Sequence, residues 1–187
     1  LQSSNYTMQI GEKLFKFELL ATDGEIYSNF SHADRSALLI IVTCNHCPYA
    51  RAYWKRIIKL NHRYEEDNLG IIAINPNDAN QYPDDSFEHM VKLMDQLGAT
   101  FVYAHDKDQQ VAKQLGAIRT PEAFLFNSKR ELVYRGAIDD SWENARAVTR
   151  VYLEDAIEAA LDGLEVDFPE IKPIGCSVKW IPGNEPK

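Results

Sequence analysis

Leu38–Val42 reads LLIIV, apolar at every position, and after Thr43 the chain runs straight into CNHCP, Cys44–Pro48. Successive side chains of a strand point to opposite faces. A strand with no polar position therefore suits a sheet covered on both sides. Two cysteines separated by two residues follow at once, and from Ala50 the hydrophobic period changes. Ala50, Tyr53, Trp54, Ile57, Ile58 and Tyr64 follow helical spacing, with Arg51, Lys55, Arg56, Lys59 and Arg63 on the other side. The cysteine pair thus stands between a buried strand and a helix.

The rest of the chain alternates in the same way. Leu14–Leu20 and Glu25–Asn29 read as an N-terminal hairpin around Ala21-Thr22-Asp23-Gly24. Leu69–Ile74 is a second buried strand. Pro83–Ser86 opens a helix whose apolar face is Phe87, Met90, Val91, Met94 and Leu97, with Asp85 and Glu88 at capping-box spacing and Gly98 as its stop. Thr100–Ala104 is a third strand, and a short helix from Asp108 to Leu115 has Asp106 as its cap. Ala123–Phe126 and Glu131–Tyr134 form a hairpin, and a last helix spans about Thr149 to Leu161. Alternating strands and helices imply an α/β fold: a mixed central sheet flanked by helices, with the hairpin as an addition. We read residues 1–187 as one domain, with an N-terminal arm over 1–10 and an extended, proline-bearing C-terminal tail over 167–187.

Composition removes several classes. The formal net charge is −8 and there is no basic tract, which argues against nucleic acid as a partner. No apolar run is long enough to span a membrane. The chain opens on Leu1, and Gln2–Thr7 is polar without a signal-peptide core, so the expected location is cytoplasmic. Three cysteines are too few for a disulfide scaffold, which turns attention to their chemistry.

A CxxC at a helix start has a physical rationale. The thiolate is the nucleophile, and a free thiol is mostly protonated at neutral pH. The first turn of a helix offers unpaired N–H groups and the positive end of the dipole. Cys44 in that position is expected to be the attacking thiolate and Cys47 the resolving one. The intervening Asn45-His46 would tune the pair, His46 by lowering the Cys44 pKa. Pro48 lacks the N–H that would close a helix begun at Cys44, so the first turn should be distorted or start later. A zinc site from Cys44, His46, Cys47 and Cys176 is a competing reading, but adjacent His46 and Cys47 make tetrahedral ligation awkward. Haem attachment requires His after the second Cys, where this chain has Pro48.

The sequence resembles the thioredoxin-like superfamily, and more narrowly the redoxin group that includes alkyl hydroperoxide reductase and thiol-specific antioxidant proteins. The resemblance rests on DGEIYS, TCNHCPYA, IIAINPNDANQYPDDS, RTPEAFLF, ELVYRGAIDD and GCSVKW. It implies a thioredoxin-like fold. It also implies that Thr120-Pro121 faces the cysteines with Pro121 cis, positioning an extended substrate backbone. Peroxiredoxins use Thr-x-x-Cys with an Arg beside the cysteine. Here Cys44 takes the Thr position and Pro121 falls where that Arg would stand, with Arg119 displaced by two residues. Both departures favour thiol–disulfide exchange over peroxide chemistry.

The expected function is therefore thiol–disulfide oxidoreductase, acting on a protein or small-molecule disulfide or thiol, with no cofactor and no bound metal. A thiol peroxidase and a metal–thiolate protein are the alternatives. Cys176, flanked by Gly175 in the tail, is a candidate third redox cysteine; the bland reading makes it a buried anchor beside Trp180. The basic row after Cys47 is expected to be a solvated helix face.

Overall fold

The computed structural model describes residues 7–187, so the expected arm over residues 1–10 lies outside the described residues up to residue 6. The chain runs β1 (Glu18–Ala21), β2 (Ile26–Ser28), β3 (Ala37–Val42), α1 (Pro48–Tyr64), β4 (Leu69–Asn75), α2 (Phe87–Leu97), β5 (Val102–His105), α3 (Gln110–Leu115), β6 (Arg119–Thr120), β7 (Glu122–Phe126), β8 (Leu132–Gly136), α4 (Tyr152–Leu161), β9 (Glu170–Ile171) and β10 (Cys176–Ser177). Short 3-10 turns occupy Pro83–Asp85 and Ala145–Ala147. The main sheet has the order β2-β1-β5-β4-β3-β7-β8-β9, and β10 pairs with β6 in a small second sheet.

The apolar run explains the centre. Strand β3 is fully buried and pairs parallel to β4 and antiparallel to β7. Leu39 and Ile41 face one core with Trp54, Ile57 and Leu60 of α1, Met90 of α2, and Leu153 and Ile157 of α4. Leu38, Ile40 and Val42 face the opposite core with Phe124, Phe126, Val111, Leu115, Phe17 and Met8. Each such side chain contributes roughly 2 kcal/mol through burial. The mixed sheet with helices on both faces is the architecture that the alternation implied.

Two local expectations change. The α2 N-cap is Ser86, whose hydroxyl accepts from the His89 N–H at 3.3 Å, and not a capping box on Asp85. Asp85 ends the preceding 3-10 turn and is fully buried. The basic row of α1 is in part a clamp: Arg56 donates to Asp139 and to the carbonyls of Ser141 and Trp142, and Arg63 pairs with Glu154 and Glu158 of α4.

The tail is more ordered than its prolines suggested. It adds β9 beside β8, in parallel, with Gly136 opposite Ile171, and then returns as β10. Gly136 has φ +129, and a Cβ there would overlap the Ile171 carbonyl oxygen. Gly136→Ala should therefore push β9 off the sheet edge and lower unfolding stability by about 1–3 kcal/mol, read as a lower urea midpoint.

Candidate functional site

Strand β3 hands the chain to Thr43, whose N–H donates to the Ile74 carbonyl at 2.8 Å. Cys44, Asn45 and His46 then cross to Cys47, the N-cap of α1, with Pro48 in the first helical position. That position tolerates proline because its N–H has no intrahelical partner anyway. The helix thus starts after the CxxC, and it is Cys47 that sits at the positive end of the dipole. Cys44 lies upstream, fully buried. Its Sγ donates to Thr120 Oγ1 at 3.5 Å. Burial, followed by the nearby Asp85 charge, pushes its thiol up to about 11. The expected lowering of the Cys44 pKa is therefore corrected: desolvation disfavours the thiolate more than the local donors favour it.

The disulfide joins Cys47 to Cys176, with Cα atoms 6.3 Å apart, and Cys44 is the free thiol. The bonded pair is thus not the CxxC. Strand β10 lies antiparallel to β6, placing Cys176 opposite Thr120 and Ser177 opposite Arg119. The Thr120–Pro121 peptide is cis. The Thr120 carbonyl oxygen lies 3.5 Å from Cys47 Sγ. The Thr-Pro loop, both CxxC sulfurs and the tail cysteine are gathered in one place.

His46 bonds to a partner that sequence reasoning assigned to a helix cap. Its Nδ1 bonds to Asp85 Oδ2, and its ring stacks on Tyr82 with centroids 5.6 Å apart. Asp85 Oδ1 accepts from the Asn45 N–H at 2.7 Å and from Asn75 Nδ2 at 3.2 Å, and Oδ2 accepts from Asn77 Nδ2 at 3.0 Å. The Asn45 side chain donates to the Asp84 carbonyl and accepts from the Tyr103 hydroxyl at 2.7 Å. With the carboxylate ionised and able only to accept, the imidazole proton sits on Nδ1. Asp85, Asn75 and Asn77 were missed at the level of individual roles. The available signal was the polar run NPND directly after a buried strand.

Cys44, His46 and Asp85 present ligand atoms within 4.8 Å of one another, a metal-type grouping. Asp85, however, has both oxygens filled by four donors, and a cation would have to displace them. Of the four zinc donors considered from sequence, Cys47 and Cys176 are bonded to each other. The grouping fits a hydrogen-bonded thiol–imidazole–carboxylate set better than a metal centre.

A central sheet of this order, with a CxxC at a helix start facing a cis Thr-Pro strand, defines a thioredoxin-like protein. Residues 9–151 match the Redoxin family, and the chain belongs to it. It is similar along nearly all its length to two solved structures. One is an uncharacterized conserved protein from Geobacillus kaustophilus, 35% identical, covering 95% of each chain with a TM-score of 0.89. The other is a hypothetical protein from Sinorhizobium meliloti 1021, 32% identical, covering 95% of this chain and 97% of that one, also at 0.89. A Chlorobium tepidum protein described as a thiol:disulfide interchange protein, DsbE, shares the fold at 20% identity and a TM-score of 0.66, covering 83% of this chain and 99% of its own. No curated protein matches the chain. Membership of this family indicates thiol–disulfide oxidoreductase or peroxidase-type chemistry. No helix among the described residues is long and apolar enough to cross a membrane.

The Asp85 charge is one of the two causes that raise the Cys44 pKa. Asp85→Asn removes an anion facing the thiolate, so the Cys44 titration should move to lower pH. The Cys44 Cβ chemical shift, followed by NMR against pH in the disulfide-intact protein, reports that thiol directly. An unmoved midpoint would show that the carboxylate charge does not act on the sulfur.

Proposed function

We propose that the chain is a thiol–disulfide oxidoreductase in which Cys47 is the exchanging sulfur and Cys176 its resting partner. Cys44 is the buried second thiol. The observation that carries this reading is that Cys47, at the start of α1, holds its disulfide with the tail while Cys44 stays reduced beside it. In the reduced protein the helix N-terminus favours a thiolate on Cys47. That thiolate attacks a substrate disulfide, one substrate sulfur leaves as a thiolate, and a mixed disulfide forms on Cys47. A second protein thiolate then attacks Cys47 Sγ, and the other substrate sulfur leaves. The substrate gains two electrons and the protein is left with an internal disulfide.

Burial and the nearby Asp85 charge push the Cys44 thiol up, to about 11, which disfavours it as the resolving thiol. Cys176, on a half-buried strand in register with Thr120, is the better resolver. Cys44 then acts when His46, held by Asp85, receives its proton: attack of Cys44 on Cys47 exchanges the Cys47–Cys176 bond for Cys44–Cys47 and frees the tail cysteine. Thr120 contacts both CxxC sulfurs and holds the extended segment opposite them. The substrate is a protein or small-molecule disulfide.

Fully reduced protein offered glutathione disulfide, with the paired cysteines located by mass spectrometry, tests the assignment. Rapid appearance of Cys47–Cys176 is expected. Cys47→Ser should reduce exchange to background, whereas Cys44→Ser should leave the first exchange near the parent rate. Hydrogen peroxide run in parallel supplies the opposing outcome. Oxidation by peroxide orders of magnitude faster than an ordinary thiolate, with slow exchange, would make this a thiol peroxidase.

A further inference from the structure

The segment that seals the site is itself built like a bound substrate. The tail lies antiparallel on Arg119–Thr120, and the Val178 N–H donates to the Ile118 carbonyl at 3.3 Å. Further along, the Lys179 N–H donates to Asn77 Oδ1 at 2.9 Å, and the Lys179 carbonyl accepts from the Asp78 N–H at 2.8 Å and from Gln109 Nε2 at 3.0 Å. The Ile181 N–H donates to Gln109 Oε1 at 2.9 Å. These contacts engage the main chain of the tail, so any extended polypeptide has the groups to make them. Side chains also take part, with Trp180 packed against the core and Lys179 over the Tyr82 ring, and the two positions nearest the cysteine are the most tightly constrained. Gly175 sits so close to Thr120 that a Cβ would overlap the Thr120 carbonyl oxygen and lie 2.7 Å from its carbon. Val178 is buried, at 4% exposure, while Ser177 between it and the cysteine is exposed.

We infer that the tail is a tethered occupant of the polypeptide-binding edge of this site, and that it defines the external substrate. The substrate is an extended polypeptide segment with Gly directly before its cysteine and a small aliphatic residue two positions after it. This rests on the thiol–disulfide reading and adds the substrate's chemistry to it. When Cys47–Cys176 is reduced, the segment around Cys176 is held by the two-residue strand β10, between the β9 pairing upstream and the Lys179–Ile181 anchor beyond it. An incoming segment replaces it along the Ile118–Thr120 edge. The Cys47 thiolate then attacks the sulfur of the incoming cysteine, the bond from that sulfur to its former partner breaks, and the partner leaves as a thiolate.

The test uses the full chain carrying Cys176→Ser, together with reduced parent protein. The probes are the peptide Ile-Gly-Cys-Ser-Val-Lys-Trp as its mixed disulfide with glutathione, the same peptide with Ala replacing Gly, and glutathione disulfide alone. The readout is the rate of the Cys47–peptide adduct by mass spectrometry. The Gly peptide should react about tenfold or more faster than the Ala peptide, the size expected when a methyl group is forced into a packed contact. The variant should react with it faster than the reduced parent, whose tail competes. In addition, Gly175→Ala in the otherwise unchanged chain should make Cys47–Cys176 more easily reduced by glutathione, by a similar factor. Equal rates for the two peptides, with glutathione disulfide reacting as fast, would overturn this inference and leave the thiol–disulfide reading standing. Failure of all three probes would overturn both.

Discussion

A carboxylate removed from water is tolerated only when its oxygens are met, because the desolvation cost is several kcal/mol. Asp85 has no exposure and four donors, drawn from the CxxC loop, from the end of β4 and from the segment after it. Satisfying that charge fixes the segments against one another. Asn45 and His46 are held by their contacts to it, which sets where Cys44 and Cys47 point. Asn77 donates to Asp85 with its amide nitrogen and accepts the Lys179 N–H with its oxygen, so the same network extends to the tail. The polar skeleton of the site is continuous from the helix start to the strand that covers it.

That skeleton makes the two cysteines of the CxxC unlike. Cys44 shares its surroundings with a buried anion and a fully buried tyrosine, Tyr103, and burial comes first among the causes that raise its pKa. Cys47 stands at the N-terminus of a 17-residue helix, where the dipole favours negative charge. On the reading proposed above, this difference gives the exchange a direction, with Cys47 meeting partners and Cys44 entering only when its proton is taken. His46, tied to Asp85 on one ring nitrogen, would be the group to take it.

Much of the fold was legible because it is written in periodicity. LLIIV announced a strand with two covered faces, and Ala50, Tyr53, Trp54 and Ile57 are all buried on α1 as their spacing implied. Pro48 alone pointed to a distorted first turn or a later helix start, and α1 begins at Pro48 itself. The site was legible as a set of residue types but not as a set of partners. Asp85 and Glu88 have capping-box spacing, and local pattern cannot distinguish an aspartate that caps the next helix from one turned back onto a loop forty residues earlier. The Asp85 contacts depend on how β3 and β4 lie side by side, and no period in the sequence encodes that. Cys44 was expected to be acidic because sequence shows the helix start and not the depth of burial. The tail, polar and proline-bearing, gave no sign of strands two residues long.

Those short strands show how tertiary context supplies what local propensity lacks. Each hydrogen bond in a pairing of two residues contributes about 1 kcal/mol net, and short isolated strand pairs are marginal in water. Strand β10 persists because it is fastened at both ends. The Cys47–Cys176 bond closes a sequence separation of 129 residues on one side, and Asn77 and Gln109 hold the Lys179–Ile181 backbone on the other. Breaking the disulfide therefore does two things in one step. It frees the Cys47 sulfur, and it releases one end of the segment that shields it. Cys47 is fully buried while the bond is intact. Free sulfur and cover depend on the same bond, so under the proposed exchange the reactive sulfur would form at the moment the edge beside it loses its fastening. The tail, still tethered by its far anchor at high effective concentration, would then be the thiol that returns to resolve the mixed disulfide.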